Sequence, residues 1–401
     1  MLAYVHHHEN ITIYFTIVMK KDVENYSDLA LYLEDFMNKL FLSQVYIFIA
    51  SSLGYLIGGG FMSGQETIQF FVPFGHNAVG VGLVFSIVII IVNIGFIYAG
   101  KYGGCTKGTE VFAFFCGPVI GKVIEWFSLV FCFTMFVAEI AAGGSILFEQ
   151  YGLPLIVGAV ITAVITAGTV TVGLNSILKS LGIIMPFLTA FVVIVSIATL
   201  VMNGGNIDVN ATRIEANDFE LLKVAPNWFL SGISLVGLMV LFLAAFSADL
   251  ATKFDFKPLV IGQSIGLIIY ALLDVVASYA ITSNIDQVAS KQIINLFLAK
   301  EIWAPLGIAF GALIFFAIYT ISTPLLHVIA IKFSEEGTKK HKLIIWGVSV
   351  IALLGAIALP FDVIINAVYI MSGYVGSLIV VLMVVKFIRI YISRSTNKEA
   401  A

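Results

Sequence analysis

Hydrophobic residues in this chain come in long blocks rather than at amphipathic spacing. Ten blocks stand out, at roughly 41–73, 78–100, 119–147, 154–174, 182–202, 228–257, 259–281, 305–331, 343–359 and 362–387. A helix needs about 20 apolar residues to cross a bilayer core of about 30 Å, and the blocks cluster around that length. They lack the period-two alternation of barrel strands. The pattern predicts an all-α integral membrane protein with ten transmembrane helices, because a lone helix satisfies its own backbone in lipid. Polar stretches divide the chain into a tail (1–36), a first five-helix unit (37–203), a loop (204–227), a second five-helix unit (228–392) and a short tail (393–401).

Charge sharpens this reading. Only 11% of the 401 residues are charged, 60% are hydrophobic, and the mean hydropathy is +1.04. Globular proteins carry about 25% charged residues. With the N-terminus placed inside, 17 of the 21 lysines and arginines fall on the inner segments. The outer ones are Arg213, Lys223, Lys291 and Lys300. A wrong helix count would scramble that bias, which places both termini in the cytoplasm of a cell whose plasma membrane the chain crosses. Trp126, Trp228, Trp303 and Trp346 fall at predicted span ends, as interfacial anchors do. The net charge of −3 offers nothing to nucleic acid, so the expected partners are the bilayer and a small solute; oligomeric state is not legible. Cys105, Cys116 and Cys132 have no metal-ligand spacing and read as small apolar fillers. No signal-peptide cleavage pattern appears in residues 1–36, and His6, His7 and His8 read as part of a bland tail. Met19 and Met37 both suit a start, and the change of polarity favours Met37.

One block is interrupted. Residues 58–66 read GGGFMSGQE inside span one. Glycine is about 1 kcal/mol worse than alanine in a helix, and a carboxylate at bilayer depth costs about 2.5–3.5 kcal/mol or more. The stretch therefore predicts a broken helix, with carbonyls around Ile57 to Gly60 free to hold a cation and amides free near Gly64. Close packing through small residues is the competing reading. Adding 185 to the borders of spans one to five lands close to spans six to ten, and Pro73 maps onto Pro258. Five spans is an odd number, so the second unit enters the membrane inverted. The offset carries Ser63 and Gly64 onto Ala248 and Asp249, and so predicts a second break in span six around LAAFSADLAT.

Several side chains are candidates for a site at these breaks. Ser63 and Glu66 have capping-box spacing, which gives Glu66 either a structural role or a part in coupling or solute contact. Glu139 and Asp274 lie well inside spans three and seven, where acids are functional candidates by default. Thr320, Ser322 and Thr323 either bond back to their own helix or offer oxygen to a hard cation such as sodium. Asn175, Lys179, His327 and Asn366 read as interfacial, and residues 285–302 as an amphipathic gate or cap on the outer surface. The chain shows no phosphate-binding loop, zinc-protease motif or nucleophile elbow, which argues against ATP hydrolysis and against an enzyme.

Three stretches resemble the YkvI-like family of bacterial membrane proteins: IGGGFMSGQETIQFF from Ile57, AAGGSILFEQYGLP from Ala141 and YIMSGYVGSL from Tyr369. The resemblance spans about residues 37–390. It implies the amino acid–polyamine–organocation superfamily and a LeuT-type five-plus-five fold with helices 1 and 6 broken. Substrate would then sit between helices 1, 3, 6 and 8, and a sodium site would use carbonyls of the first break with Ser322 and Thr323. Where a Tyr or Asn is expected near the second break, this chain has Phe246, Ser247 and Asp249, which leaves the substrate open. The resulting expectation is a secondary transporter of a small polar solute, an amino acid or amine, coupled to sodium or protons with no other cofactor. Its binding set comprises Gly58, Gly59, Gly60, Ser63, Gly64, Gln65, Glu66, Glu139, Phe246, Ser247 and Asp249, with Ile57, Gly60, Ser322 and Thr323 around sodium. A non-transporting receptor on the same scaffold is the alternative.

Overall fold

The structure is a computed structural model describing residues 26–105, 108, 110–172 and 177–399, of which 26–37, 177–186 and 390–399 are described in backbone only. Residues 1–25, Asn175 and the side chain of Lys179 lie outside it. The described chain is almost wholly helical. The first unit holds α1 (Tyr26–Leu56), α2 (Gly59–Ser63), α3 (Gln65–Phe70), α4 (Ala78–Tyr102), α5 (Glu110–Tyr151), α6 (Leu155–Val172) and α7 (Ile177–Asn203). After α8 (Ile207–Glu215), the second unit holds α9 (Trp228–Lys253) and α10 (Phe256–Thr282). It continues with α11 (Ile285–Val288), α12 (Ile294–Ile302), α13 (Ala304–Phe333), α14 (Lys339–Ala356) and α15 (Phe361–Glu399).

Nine described helical segments are long and apolar enough to cross a membrane. They match the expected spans except the ninth, where α14 has Lys339, Lys340 and Lys342 in its first turns. Span three is longer than expected, because Glu110–Cys116 joins it through Gly117, at φ 77°, and Pro118.

The inverted repeat shows in the packing. Span one (α1) lies against span seven (α10), and span six (α9) against span two (α4). Exchanging the two units converts the first contact into the second. Helix α9 also meets α15 at backbone distance: a Cβ on Gly376 would sit 1.8 Å from the Gly237 carbonyl oxygen, so only hydrogen fits there. Small residues of this kind let helices approach where lipid provides no hydrophobic drive.

The second predicted break is absent. Helix α9 runs without interruption from Trp228 to Lys253. Between Leu238 and Lys257 the chain has neither glycine nor proline, and leucine and alanine abound. Nothing there relaxes the helical ladder, so the repeat holds in architecture but not in this detail.

Candidate functional site

Span one breaks as predicted. Helix α1 ends at Leu56, and Gly58 is extended at φ −110° and ψ −173°. One turn, α2, follows; Gly64 then turns left-handed at φ 88° and α3 begins. That conformation is open to glycine at no steric cost. The capping box does not form. Ser63 is the last residue of α2 rather than an N-cap, and its Oγ donates to the Gly60 carbonyl at 2.9 Å. Gly64 caps α3 with its backbone, which leaves Glu66 free to reach another helix.

That helix is α10. The Tyr270 hydroxyl donates to Glu66 Oε1, and Thr67 Oγ1 donates to Asp274 Oδ1 at 2.7 Å. Glu139 of α5 comes to the other side of the break, its carboxyl set against Gly59. A Cβ on Gly59 would stand 2.3 Å from Glu139 Oε2, and one on Gly60 would stand 2.0 Å from the Tyr369 hydroxyl. The consecutive glycines thus make room for a carboxyl from α5 and a phenol from α15. Glu66, Glu139 and Asp274 are all buried, and among the described residues no lysine or arginine is. Glu139 Oε2, Asp274 Oδ2 and the Tyr369 hydroxyl have no hydrogen-bond partner.

A cavity of about 40 Å³ lies at the break. Its polar lining is Gly58, Gly59, Gly60, Glu66, Glu139 and Tyr369, and its apolar wall includes Tyr55, Met135, Phe242 and Ile321. Spans one, three, six and eight all contribute, as the family resemblance implies, and span ten adds Tyr369. Tyr369 and Tyr270 were missed in the sequence because a tyrosine within an apolar block gives no periodic signal. At the α1 end of the cavity, Tyr55 stacks on Phe246 with ring centroids 4.3 Å apart.

One side of the break is sealed by residues 285–302, the segment expected as a gate or cap lying on the surface. Helix α12 is instead packed inward, with Ile294, Asn295, Leu296, Leu298 and Ala299 buried. Asn295 Nδ2 donates to the carbonyls of Phe61 and Met62 at 3.2 and 3.1 Å. Gln65 Nε2 donates to the carbonyls of Lys291 and Gln292, each at 3.1 Å. From α5, Ser145 Oγ donates to Gln292 Oε1 at 2.6 Å, and Glu149 accepts the Gln292 and Ile293 amides. Gly64 and Gln65 therefore face this seal rather than the cavity, and Ser63, bonded to the Gly60 carbonyl and the Gln65 amide, does not line the cavity either. Asn366, expected at an interface, donates to Gln69 Oε1 on α3 at 2.9 Å.

The span-six candidates lie elsewhere. Ser247 Oγ donates to Asn93 Oδ1 of α4 at 2.6 Å, and Asn93 Nδ2 donates to Gln263 Oε1 of α10 at 2.9 Å. Ser247 thus belongs to a buried three-helix network. Asp249 is half-exposed and pairs with Lys253 at 2.6 Å, one turn on. Because α9 does not unwind, Asp249 stays in its last turns and pairs within its own helix. Phe246 is half-buried in the stack with Tyr55 and does not line the cavity.

Ser322 and Thr323 are buried on α13, next to Ile321, whose Cδ1 would lie 3.3 Å from a Cβ on Gly58. Their hydroxyls donate to the Ile318 and Tyr319 carbonyls at 2.7 and 2.8 Å, and Thr320 Oγ1 donates to the Ala317 carbonyl at 2.7 Å. Each oxygen keeps lone pairs to offer. His327 is partly buried, with Nδ1 unpartnered. No group of three or more metal-ligating His, Cys, Asp or Glu side chains occurs among the described residues.

No protein-family model matches the chain, and no curated protein matches it by sequence. Two solved structures are similar in shape. One is MhsT in complex with L-phenylalanine, at 17% identity and TM-score 0.59, covering 84% of this chain and 87% of that one. The other is the inward-facing conformation of Mhp1, at 16% identity and TM-score 0.58, covering 86% and 76%. With its apolar helices, broken first span and paired units, the chain is a multi-pass integral membrane protein with the LeuT-type fold.

Proposed function

We propose that this protein is a secondary transporter that moves a small polar solute by alternating access. The observation that carries the reading is the break in span one. It lies between buried carboxyls from two directions, over a cavity, under a seal built from the other unit. Irregular backbone at membrane depth is tolerated where it lines a cavity, and half-helix termini there are suited to ions and polar solutes. At about 40 Å³ the cavity has room for a group the size of a water molecule rather than a whole amino acid. In this reading the site is occluded, and the seal at α12 and the aromatic stack at Tyr55 open in turn.

The solute would contact Gly58, Gly59, Gly60, Glu66 and Glu139. The coupling ion is a proton or sodium; sodium would draw on the carbonyls of Ile57 and Gly60 and on Ser322 and Thr323. The three quoted motifs support membership of the YkvI-like family and with it a bacterial plasma membrane, and the lysine pattern supports both termini inside. Uptake of labelled amino acids and amines into proteoliposomes, under imposed sodium or proton gradients, tests the reading. Accumulation that follows one gradient is the expected result. Flux that ignores every gradient overturns coupled transport, and ligand-dependent thermal stabilisation without flux would make the protein a receptor.

A further inference from the structure

We propose that the solute is an organic cation without a carboxylate, held through its ammonium group by Glu66 and Glu139 and exchanged for protons on those carboxyls. The inference rests on the transporter reading of the same cavity and narrows its substrate.

Four observations carry it. Both acids line one cavity and stand against neighbouring glycines: Glu139 at Gly59, and Glu66 with its Oε2 3.8 Å from a Cβ position on Gly60. The space beside Gly59, where the helix break would otherwise offer an amide to an anionic group, is already occupied by the Glu139 carboxyl. A solute carboxylate would therefore meet two carboxyls and no buried lysine or arginine of the described chain, a repulsion that low dielectric magnifies. Finally, Glu139 Oε2 and the Tyr369 hydroxyl oxygen lack partners, and the rings of Tyr55 and Phe242 form the wall. An ammonium group brings three donors and no acceptor, and it is attracted to aromatic faces. The cavity's size suits such a headgroup alone.

The proton side of the exchange follows from the groups that face the break. Span one supplies Glu66 and Tyr55, α5 supplies Glu139, α10 supplies Tyr270 and Asp274, and α15 supplies Tyr369; the lining from α9 and α13 is Leu238, Phe242 and Ile321. Every one of these titratable groups is an acid. Ionised carboxylates buried without a counter-charge are costly, so protons neutralise them when no cation is bound. The ammonium ion enters, its N–H bonds form to the two carboxyl groups, and one proton leaves to solvent for each positive charge bound, so the net charge of the site is unchanged.

Isothermal titration calorimetry on the purified full chain, in two buffers of different ionisation enthalpy, tests this with matched pairs: ethylamine against alanine, and putrescine against ornithine. The expected result is that an amine binds, its carboxylated partner binds at least roughly 30-fold more weakly, and protons are released on binding. Glu139→Gln and Glu66→Gln should each lose roughly 30-fold or more in amine affinity and reduce the proton release, with thermal unfolding and size-exclusion profiles reporting that the variants are folded. Equal or tighter binding of alanine or ornithine overturns the proposal. So does amine binding without proton release, binding of sodium with neither amine bound, or no amine binding at all. Proteoliposome uptake of alanine or ornithine without amine binding would sink this inference and leave the transporter reading standing. Amine binding with proton release but no flux would do the reverse.

Discussion

Tyr270 of α10 donates its hydroxyl to Glu66 of α3, joining residues 204 positions apart in the chain. One turn further along α10, Asp274 accepts from Thr67, the residue after Glu66. Two adjacent side chains of the second half of span one are thus fastened to two positions on one face of span seven. Tyr270→Phe removes one link and leaves a buried carboxyl without its donor. It should destabilise the protein by about 1–3 kcal/mol, read as a lower thermal unfolding midpoint in detergent. An unchanged midpoint would mean that Glu66 finds another donor.

The left-handed turn at Gly64 is doubly constrained. A side chain there meets φ 88°, and its Cβ would lie 2.9 Å from Ile294 Cβ. The conformation alone costs an L-residue about 1–2 kcal/mol, before the clash is counted. Gly64→Ala should fall below Tyr270→Phe in thermal stability and loosen α12, seen as faster hydrogen exchange across residues 291–299.

Asn295 covers the open carbonyls of the break, donating to those of Phe61 and Met62. Asn295→Leu keeps the bulk and removes both hydrogen bonds, leaving acceptors that cost about 1–3 kcal/mol when buried unpaired. The balance should shift towards an outward-open form. A cysteine at Met62, fully buried in this structure, should then react several-fold faster with a membrane-impermeant maleimide added outside. No change in rate would show that the seal is held elsewhere.

Ser247 and Asp249 separate placement from sequence expectation. Ser247→Ala unpairs one bond to Asn93 and should cost about 0.6–1.7 kcal/mol, as buried polar contacts in membrane proteins do. Asp249→Asn breaks only an exposed pair with Lys253 and should change stability by about 1 kcal/mol or less. Neither should alter solute affinity in the calorimetric assay. A tenfold loss in either variant would bring span six back into the binding site.

The sequence by itself determined the membrane architecture. Block length and lysine bias set the spans, because the bilayer imposes a fixed thickness and a charge asymmetry on any chain that crosses it. It also located the break in span one, since Gly58, Gly59, Gly60 and Gly64 weaken the helix locally and the acid beside them demands compensation. Glu139 and Asp274 were legible for the same reason. What only the tertiary structure decided is where polar side chains find their partners. The spacing of Ser63 and Glu66 suggested a cap, yet Glu66 turns to Tyr270 because Gly64 occupies the capping position. The offset of 185 suggested a break around Ala248 and Asp249, yet Asn93, itself held by Gln263, takes up the neighbouring Ser247 hydroxyl and an alanine-rich helix stays whole. Asn295 looked like part of a surface helix until packing turned it onto the carbonyls that the break exposes. Periodicity and composition report on each segment's exchange with lipid and water. Hydrogen bonds across hundreds of residues depend on which faces meet, and those are set when the two five-helix units interlock.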